Sequence, residues 1–533
     1  MSTIIANNPS NYNSSYEDIF VSLNKYTQIS ILEKISEFLW KFYKNHSIGN
    51  PDINILSLNI IMITLLDSRF NTSIKKPEIS YQEFREINLM ANAVSDLEDE
   101  TQIDMWYIQT HYNQIVLNPN SPFYKMVLFM LLFCKVDETP ETKLLIFFKE
   151  YFGYTGEDIG TALWTIFSFF TSNQRLKNLE QSGIKDLEIL KSLLKKFGKN
   201  LNEIRKTFNE SPKYKSTDWR AKFNPFRDFP IIVESIDNEF HYFIPSPHFM
   251  FLLHTENLYY FIFQHFLEKE KEHNKNNKDP GKNPFSAEFG KSIENVVYKI
   301  TKNELGLKRE VIPEFKFKNN NGSDAYSADL HIVENKGSNL CLIQIKGKRV
   351  RLSSQGGNIK SYLEDIEKSL IYGIEQNFYL ITQPEFLNVL LERCSWKYNK
   401  NKITFLIIYV EGFYDITYPK IKEYIDNRIS EIKAKYQIDY QIDVAFVSLE
   451  QYIRLVEWSS SDRRSISDKI KDYCKYLNNP SKEKNLGSEG FSHSFDEFIR
   501  VKSKGQTYPK SFSKKIYDNF IKEIQARIIP HSA

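Results

Sequence analysis

Cysteine is scarce in this sequence, and the few thiols lie far apart. Cys134, Cys341, Cys394 and Cys474 are the four cysteines among 533 residues, and no two of them have the short spacing of a zinc site. Such sparse use of cysteine suits a reducing compartment. It excludes a small scaffold that depends on disulfides for its stability.

Glycine, proline and long apolar runs are also scarce. With 19 glycines and 19 prolines, the chain is neither fibrous nor of low complexity. The longest apolar runs, 53–66 and 126–134, are shorter than the ~18 apolar residues that a membrane-spanning helix needs. The first residues lack the basic and apolar regions of a secretory signal. We therefore expect a soluble, cytoplasmic protein without a membrane partner.

Neither sign of charge predominates. Lysine and arginine number 70 and aspartate and glutamate 67, so the formal net charge is +3. This balance excludes a protein that binds nucleic acid through bulk positive charge, but it allows a local basic groove. Apolar material is plentiful, because 41% of the residues are hydrophobic and 14% are aromatic, which is enough for a sizeable folded core.

The pattern of apolar residues changes along the chain and predicts four regions. Residues 1–215 have mainly the three-and-four spacing of amphipathic helices. They carry no cluster of reactive side chains, so we expect them to sense, to position substrate, or to bind a partner protein or a second copy of the chain. Residues 216–283 read as a strand hairpin, a helix and a polar linker, 284–480 as an α/β domain, and 481–533 as a polar C-terminal extension.

The region 284–480 is predicted to alternate between helices and short strands. The predicted helices are 285–305 and 358–376, and the predicted strands are about 311–317, 326–333, 339–347, 377–382, 403–410 and 442–447. Helices that bracket several short strands are typical of an α/β fold, with a mixed β-sheet covered on both faces.

Polar residues mark the places where two of these strands would emerge from the core. Side chains alternate along a strand, so Asp329 and His331 share one face of the first strand. Gln344 and Lys346 share a face of the next strand. A turn at 334–337 would pair the two strands and bring Asp329 near Gln344 and Lys346. A carboxylate, an amide and an ammonium group on neighbouring strands suit phosphodiester chemistry.

These residues predict a site for Mg²⁺, with Mn²⁺ as the alternative metal. Mg²⁺ prefers oxygen ligands and keeps several of its waters. We expect Asp329 to be the charged ligand, and the side-chain oxygen of Gln344 and the backbone carbonyl of Ile345 to be neutral ligands. The metal would acidify a bound water, and Lys346 would stabilise the negative charge of the reaction.

A further acid is predicted to reach the same cleft from the helix 285–305. Glu294 lies beside the apolar stripe of that helix, one turn after Gly290. We expect the glycine to let the helix approach the sheet closely, so that Glu294 points at the metal as an additional ligand.

A basic stretch, 346–351, follows the second strand. It has four cations in six residues, which suits contacts with backbone phosphates, although an exposed and merely soluble loop explains it equally well. The predicted nucleic-acid contacts are Lys348, Arg349 and Arg351, with Lys360 on the following helix.

The order Glu294, Asp329, then Gln344-Ile345-Lys346 resembles the PD-(D/E)XK nuclease superfamily, in its restriction-endonuclease-like and Mrr-like branches. The resemblance covers roughly 285–382 and differs from the usual pattern in having Gln344 in place of an acid, as some branches do. It implies a restriction-endonuclease-like core and Mg²⁺-dependent endonucleolytic cleavage of nucleic acid, most simply double-stranded DNA. Gln376 resembles a polar residue that some members place near the site. Fold-level analogy extends the expectation to bacterial anti-phage defence.

Two alternatives stay open at this point. The domain could retain a nuclease fold without cleavage and serve as a nucleic-acid-binding or scaffold protein, in which case the neutral Gln344 is a trace of lost activity. Alternatively, the chain is an interaction protein whose helical residues 1–215 carry the function.

Overall fold

The chain forms two compact units. The computed structural model describes residues 14–45, 55–73, 75–95, 121–135, 142–172, 175–177, 187–211, 214, 224–236, 238–253, 256–273, 283–347, 350–351, 354, 358–410, 413, 416–462, 464–478, 495–503 and 511–527. One unit comprises Met1–Asn277 with Asp518–Ala533, and the other comprises Lys278–Tyr517. The predicted boundary at 283/284 lies close to this division, whereas 215/216 and 480/481 fall inside the units.

The first unit is mainly helical. Its helices are α1 (Tyr16–Leu23), α2 (Gln28–Asn45), α3 (Ile55–Thr64), α4 (Tyr81–Ser95), α5 (Ser121–Phe133), α6 (Lys143–Phe152), α7 (Gly156–Ser172), α8 (Leu187–Phe197), α9 (Leu201–Glu210), α10 (Pro247–Leu252) and α11 (Glu256–His273), with a 3₁₀ turn at Pro225–Arg227. Local sequence explains where they begin. At the start of α4, the Ser80 N–H donates to the Glu83 carboxylate at 2.9 Å, and the Glu83 N–H donates back to the Ser80 hydroxyl at 3.3 Å.

A small sheet joins two of the predicted regions within this unit. Its strands are β1 (Arg175–Lys177), β2 (Gly198–Lys199), β3 (Ile231–Ile236) and β4 (Glu239–Phe243), in the order β1-β4-β3-β2. The hairpin β3–β4 is the one predicted within 216–283. The two outer strands come from the part that was predicted to be mostly helical, so the sheet ties that part to the hairpin. Within the described residues, no helix has both the length and the apolar character required to cross a membrane.

The second unit is an α/β sheet flanked by helices. Its strands are β5 (Glu310–Pro313), β6 (Lys316–Lys318), β7 (Asp324–Tyr326), β8 (Leu330–Glu334), β9 (Asn339–Lys346), β10 (Ile403–Tyr409) and β11 (Asp443–Ser448). Its helices are α12 (Pro284–Leu305), α13 (Ile359–Ile366), α14 (Tyr372–Ile381), α15 (Pro384–Arg393), α16 (Pro419–Lys435), α17 (Leu449–Asp462), α18 (Ile466–Asn478), α19 (Phe495–Lys502) and the start of α20 (Phe512–Arg527). A π-helical segment, Glu367–Ile371, connects α13 to α14, and a 3₁₀ turn, Lys400–Lys402, precedes β10.

Five strands form the main sheet, in the order β11-β10-β9-β8-β5. The strands β9, β10 and β11 run parallel, whereas β8 pairs antiparallel with β9 and with β5, so the sheet is mixed as predicted. The strands β6 and β7 form a separate antiparallel hairpin. Because β9 and β10 are parallel, Lys346 and Tyr409 mark the same end of the sheet, and Leu340 and Ile403 mark the opposite end.

Helices cover both faces of this sheet. Helix α14 packs on the face of β9 that carries Gln344, because the position of a Cβ on Gly373 lies 3.5 Å from the Gln344 Cβ. Cys341 points to the opposite face, where it interacts with Tyr452 of α17. The Tyr452 hydroxyl hydrogen-bonds that of Thr301 at 2.5 Å, which joins α17 to α12.

The first helix of the unit begins and packs as its sequence predicts. The Asn283 side chain accepts the Phe285 N–H at 3.0 Å, and Pro284 occupies the first helical position. Its apolar stripe, which includes Ile293 and Ile300, is buried. The helix is therefore fixed along one side while its polar border stays accessible.

A buried carboxylate ties helix α18 to the end of β8. Glu334 accepts the backbone N–H groups of Ile466 and Ser467 at 2.9 and 3.1 Å, so it caps the helix from outside. It also accepts the Ser467 hydroxyl at 3.2 Å and pairs with Arg309, whose Nε lies 3.2 Å from Oε1. The Glu334 and Arg309 side chains are almost completely shielded from solvent. Burial raises the pKa of Glu334, and Arg309 together with the helix N–H groups opposes that rise.

The predicted strand at 377–382 is wrong, because these residues continue helix α14 to Ile381. A short apolar run such as Phe378, Leu380 and Ile381 fits either a strand or a buried helical turn. Here the run belongs to a helix that covers β9 and β10, and the next strand of the sheet is β10. The predicted strands 311–317 and 326–333 are each split, and the second part of one pairs with the first part of the other as the hairpin β6–β7.

Candidate functional site

Asp329 lies immediately before β8, beside the end of β9. The Ile345 backbone N–H donates to the Asp329 carboxylate Oδ2 at 2.5 Å. The pairing of β8 with β9 ends at Leu330 and Ile343, so beyond that point this side chain is the hydrogen-bond acceptor for β9. Its own backbone carbonyl accepts the Glu314 N–H at 3.1 Å. Asp329 is thus fixed from both sides, and its Oδ1 makes no hydrogen bond to a described residue.

Lys346 is held at the end of β9 by two amide oxygens. Its Nζ donates to Gln344 Oε1 at 3.1 Å and to Gln376 Oε1 at 2.6 Å. Gln344 is buried, and its Nε2 donates to Asn377 Oδ1 at 3.2 Å. The side-chain oxygen predicted to bind metal therefore positions Lys346 in this structure. Asn377, which the sequence did not single out, fixes which way the Gln344 amide points.

Glu294 reaches the same region from α12. The end of β9 passes close to this helix, since a Cβ on Gly347 would lie 3.5 Å from the Gly290 Cα. The expected reason for Gly290 is wrong, however, because a Cβ there would meet no atom within 4 Å. A Cβ on Gly347, the residue that follows Lys346, would make only ordinary van der Waals contacts, so the approach of helix and strand requires neither glycine.

Glu314 is a third acid at this site, and the sequence did not indicate it. It lies between β5 and β6, outside any regular strand, so no alternation pattern assigns it a face. The hydrogen bond from its backbone to the Asp329 carbonyl places it next to that residue. A signal was present in principle, because Glu314 directly follows the strand that pairs with β8.

Glu294, Asp329 and Lys346 influence one another's pKa values. Desolvation raises the pKa of Glu294 to about 7, with Asp329 and Glu314 adding repulsion and Lys346 opposing the rise. Glu294 is nevertheless an exposed residue, so its carboxylate is accessible from solvent. Burial raises the pKa of Asp329, while Lys346 opposes that rise, and burial lowers the pKa of Lys346. Three acids and one amine therefore share one electrostatic environment.

The donor atoms at this site suit a hard cation. Among the described residues, no three acid, histidine or cysteine side chains are arranged as a complete metal site. Asp329 and Glu294 nevertheless offer carboxylate oxygens without other hydrogen-bond partners among those residues, and Ile345 offers a backbone carbonyl. Mg²⁺ needs only one or two carboxylates because it keeps several waters. The set lacks the nitrogen and sulfur ligands that Zn²⁺ prefers.

The glycine at position 373 gives Lys346 its room. A Cβ there would lie 2.7 Å from the Lys346 Cε and 3.5 Å from the Gln344 Cβ. The π-helical segment Glu367–Ile371 ends just before it, and π segments occur often at functional sites. Replacing Gly373 would therefore displace the ammonium group before it disturbed the sheet.

If this site cleaves phosphodiester bonds, as the sequence predicts, Gly373→Ala should lower the rate of cleavage by roughly 100-fold, because small displacements of catalytic groups have effects of that size. The added methyl pushes Lys346 away from the two amide oxygens that hold it. Single-turnover cleavage of a labelled DNA measures the effect. The matched control is Gly290→Ala, which fills open space on a helix at the same site. Equal rates for the two variants would contradict the assignment of Lys346.

The predicted basic contacts are only partly within the described residues, since Lys348 and Arg349 lie outside them. Lys360 is exposed at the start of α13. Arg351 is already engaged, because its Nε donates to Asp365 Oδ1 at 2.8 Å and its Nη2 donates to the Ser361 carbonyl at 2.7 Å. The structure therefore uses Arg351 to attach the segment after β9 to α13.

His331 belongs to the core. Its ring packs against those of Phe315 and Phe386, which also stack on each other. Burial lowers the pKa of His331 to about 4. It is thus neutral at physiological pH, and its Nδ1 lies 3.2 Å from the Ile312 carbonyl oxygen.

Comparison with known proteins gives no relative that could assign this site. No protein-family model, no curated protein and no solved structure matches the chain.

Proposed function

We propose that the second unit is a metal-dependent endonuclease domain of the restriction-endonuclease-like type, which cleaves phosphodiester bonds of double-stranded DNA. The observation that carries the proposal is the meeting of Asp329, Glu294 and Lys346 at one end of β9, where their charges act on one another. A structural ion pair would place the lysine against a carboxylate. Here, amide oxygens hold Lys346 and the acids remain available.

Each residue has a distinct part in this proposal. Asp329 and Glu294, with the Ile345 carbonyl, hold Mg²⁺ or Mn²⁺, which supplies an acidified water and neutralises phosphate charge when bound. Lys346 stabilises the negative charge that develops during hydrolysis. Gln344 and Gln376 keep the lysine in place, and Gln344 contributes no charge to the metal.

Metal binding should depend on pH through Glu294. Because the metal-free pKa of this carboxyl is raised to about 7, most of it is protonated at pH 6, and a cation must displace that proton. We expect the affinity for Mn²⁺ to rise from pH 6 to 7 and to level off by pH 8. Calorimetry in buffers of different ionisation enthalpy should detect proton release at pH 6 and little at pH 8.

Two variants separate this effect from the general behaviour of carboxylates. Glu294→Gln should bind Mn²⁺ more weakly and lose most of the pH dependence in this range. Glu392→Gln, an exposed acid on α15, should bind like the parent protein. A parental pH profile in Glu294→Gln would show that another group is responsible.

Cleavage itself is tested by nicking of supercoiled plasmid with the full-length protein, in Mg²⁺ or Mn²⁺ and with excess EDTA. The proposal requires nicking that needs the metal and that Lys346→Met abolishes. Lys402→Met, an exposed lysine before β10 at the opposite end of the sheet, is the matched control. Nicking that persists equally in Lys346→Met would come from a contaminant or another site.

A second candidate is a domain of the same type that binds DNA without cutting it. The observation in its favour is that Gln344 is neutral and already occupied by Lys346 and Asn377. Tight DNA binding that is independent of metal, with no nicking under any metal condition, would favour this candidate.

A further inference from the structure

We propose that the hairpin β6–β7 is a two-stranded ribbon that enters a groove of duplex DNA and fixes the position of the cut. The inference rests on the proposed function for its substrate. It concerns residues 316–326, which contain none of the proposed metal ligands and do not contain Lys346.

The hairpin is joined rigidly to the candidate site. The Phe315 N–H donates to the Ser327 hydroxyl at 2.8 Å, and the Ser327 N–H donates to the Phe315 carbonyl at 2.9 Å. The flanking residues are Glu314 and Ala328, which adjoin Asp329. The base of the hairpin is therefore tied by hydrogen bonds directly beside the residues that carry the acids.

One face of the hairpin is anchored and the other is exposed. Phe315 and Phe317 are buried, and both rings contact Phe386 of α15. Because side chains alternate along a strand, Lys316 and Lys318 point the other way and are exposed. The anchored face holds the ribbon in a fixed orientation, and the exposed face carries positive charge.

The exposed face has the side chains that bind a nucleic-acid backbone. Tyr326, which pairs with Lys316 across the hairpin, is 53% exposed. Lys318 Nζ contacts Asp324 Oδ1 at 2.6 Å, but both side chains are largely exposed. Exposed ion pairs contribute little, so a phosphate can take the place of the carboxylate. The positive charge of Lys316 also lowers the pKa of Glu314, so the exposed face of the hairpin adjoins the acids of the site.

The tip of the hairpin presents two unused amides. The Asn319 side chain accepts the backbone N–H groups of Asn321 and Ser323 at 3.1 and 3.0 Å, and Gly322 takes a left-handed conformation with φ of 73°. The turn is thus held by its own residues. The side chains of Asn320 and Asn321 are exposed and have no hydrogen-bond partner among the described residues.

Duplex DNA fits these features. Its major groove, about 12 Å wide, admits a two-stranded ribbon, and asparagine amides read adenine edges there. From Ser327 to the tip, five residues at ~3.3 Å each span roughly 17 Å. At ~3.4 Å per base pair, this reach places the tip within about five base pairs of the cut. The lysines along the hairpin suit contacts with the phosphates of the DNA backbone, and the asparagines at its tip suit contacts with base edges.

Binding by the full-length protein carrying Asp329→Asn tests the inference without cleavage. Adding Lys316→Ala and Lys318→Ala should weaken binding of a 30-base-pair duplex about tenfold and reduce the salt slope by about 2, as the loss of two phosphate contacts predicts. Adding Asp324→Asn instead should strengthen binding, because Lys318 is released. The control pair is Lys400→Ala with Lys402→Ala, which removes the same charge at the opposite end of the sheet. Equal effects of the two lysine pairs, or no gain from Asp324→Asn, would overturn the inference.

The positions of the cuts test whether the tip of the hairpin reads bases, separately from whether the protein cleaves DNA. In the otherwise parental protein, Asn320→Ala with Asn321→Ala should change the distribution of cut sites on one DNA fragment within about five base pairs of each cut. An unchanged distribution overturns the role of the tip while cleavage itself stands. If the protein binds DNA through the hairpin but never cleaves it, the proposed function is wrong, whereas the DNA-binding role of the hairpin is supported. Equal binding to single-stranded DNA or to duplex RNA overturns the assignment to duplex DNA.

Discussion

Replacing Asp329 by asparagine should lower the rate of metal-dependent cleavage by roughly a thousandfold, near the upper end of what loss of one preorganised charged group costs. Asparagine has the same shape, and its side-chain oxygen can still accept the Ile345 N–H. The negative charge that we propose to hold the metal is lost. Since burial raises the pKa of Asp329, the charged form is disfavoured in the metal-free protein, and removing it should not destabilise the fold.

Single-turnover cleavage with saturating protein measures this effect apart from DNA binding. The matched control is Asp439→Asn, because the Asp439 side chain is 83% exposed and lies beside Lys400, away from the end of β9. The control should cleave at the parental rate. If Asp329→Asn cleaves within a few-fold of the control, with thermal unfolding unchanged, the metal site lies elsewhere.

Replacing Glu334 by alanine should reduce the stability of the second unit by about 3–5 kcal/mol, the usual cost of removing one partner of a buried ion pair. The change leaves the Arg309 guanidinium buried without its carboxylate. It also leaves the Ile466 and Ser467 N–H groups at the start of α18 without an acceptor. Urea unfolding of the full-length protein, followed by hydrogen exchange in α18 and β8, measures the loss.

The design of that experiment separates charge from packing. Glu392→Ala removes an exposed acid from α15 and should leave the unfolding midpoint unchanged. Combining Glu334→Leu with Arg309→Met should recover part of the loss, because no charge then remains buried. A midpoint for Glu334→Ala equal to that of Glu392→Ala would contradict the structural role of this ion pair.

Alternation along strands made half of the candidate site predictable. Asp329 and Lys346 were found because polar residues end two apolar strands, and β8 and β9 do pair with the turn where it was expected. Asn335, Lys336 and Gly337 supply the left-handed turn. The pairing of neighbouring strands across a short turn is local, so the sequence records it well.

The rest of the site depends on contacts that spacing alone does not determine. Glu314 follows Pro313, where β5 ends, so a pattern read as a single strand over 311–317 concealed it. Asn377 fell in a run predicted as a strand, although it faces Gln344 from a helix. An apolar run of that length is compatible with both structures, and packing against β9 decides between them.

The short strands of the first unit could not be predicted from sequence spacing either. The strands β1 and β2 have three and two residues and gain their hydrogen bonds from β4 and β3. Such short strands have no period of their own, so the prediction of a mostly helical region over 1–215 did not include them. In β2, Gly198 pairs with Ile231, and in β1, Arg175 pairs with Phe243. Local propensity does not encode pairing between residues so far apart in the chain.

The π-helical segment Glu367–Ile371 carries a consequence for how this site could arise or be lost. A π turn contains one residue more than the corresponding α turn, and one residue corresponds to about 100° around the helix axis. Deleting a single residue from the segment would turn Gly373, Gln376 and Asn377 away from β9 together. A related chain that lacks one residue here would thus keep its sheet and every proposed metal ligand. It would lose the contact between Gln376 and Lys346.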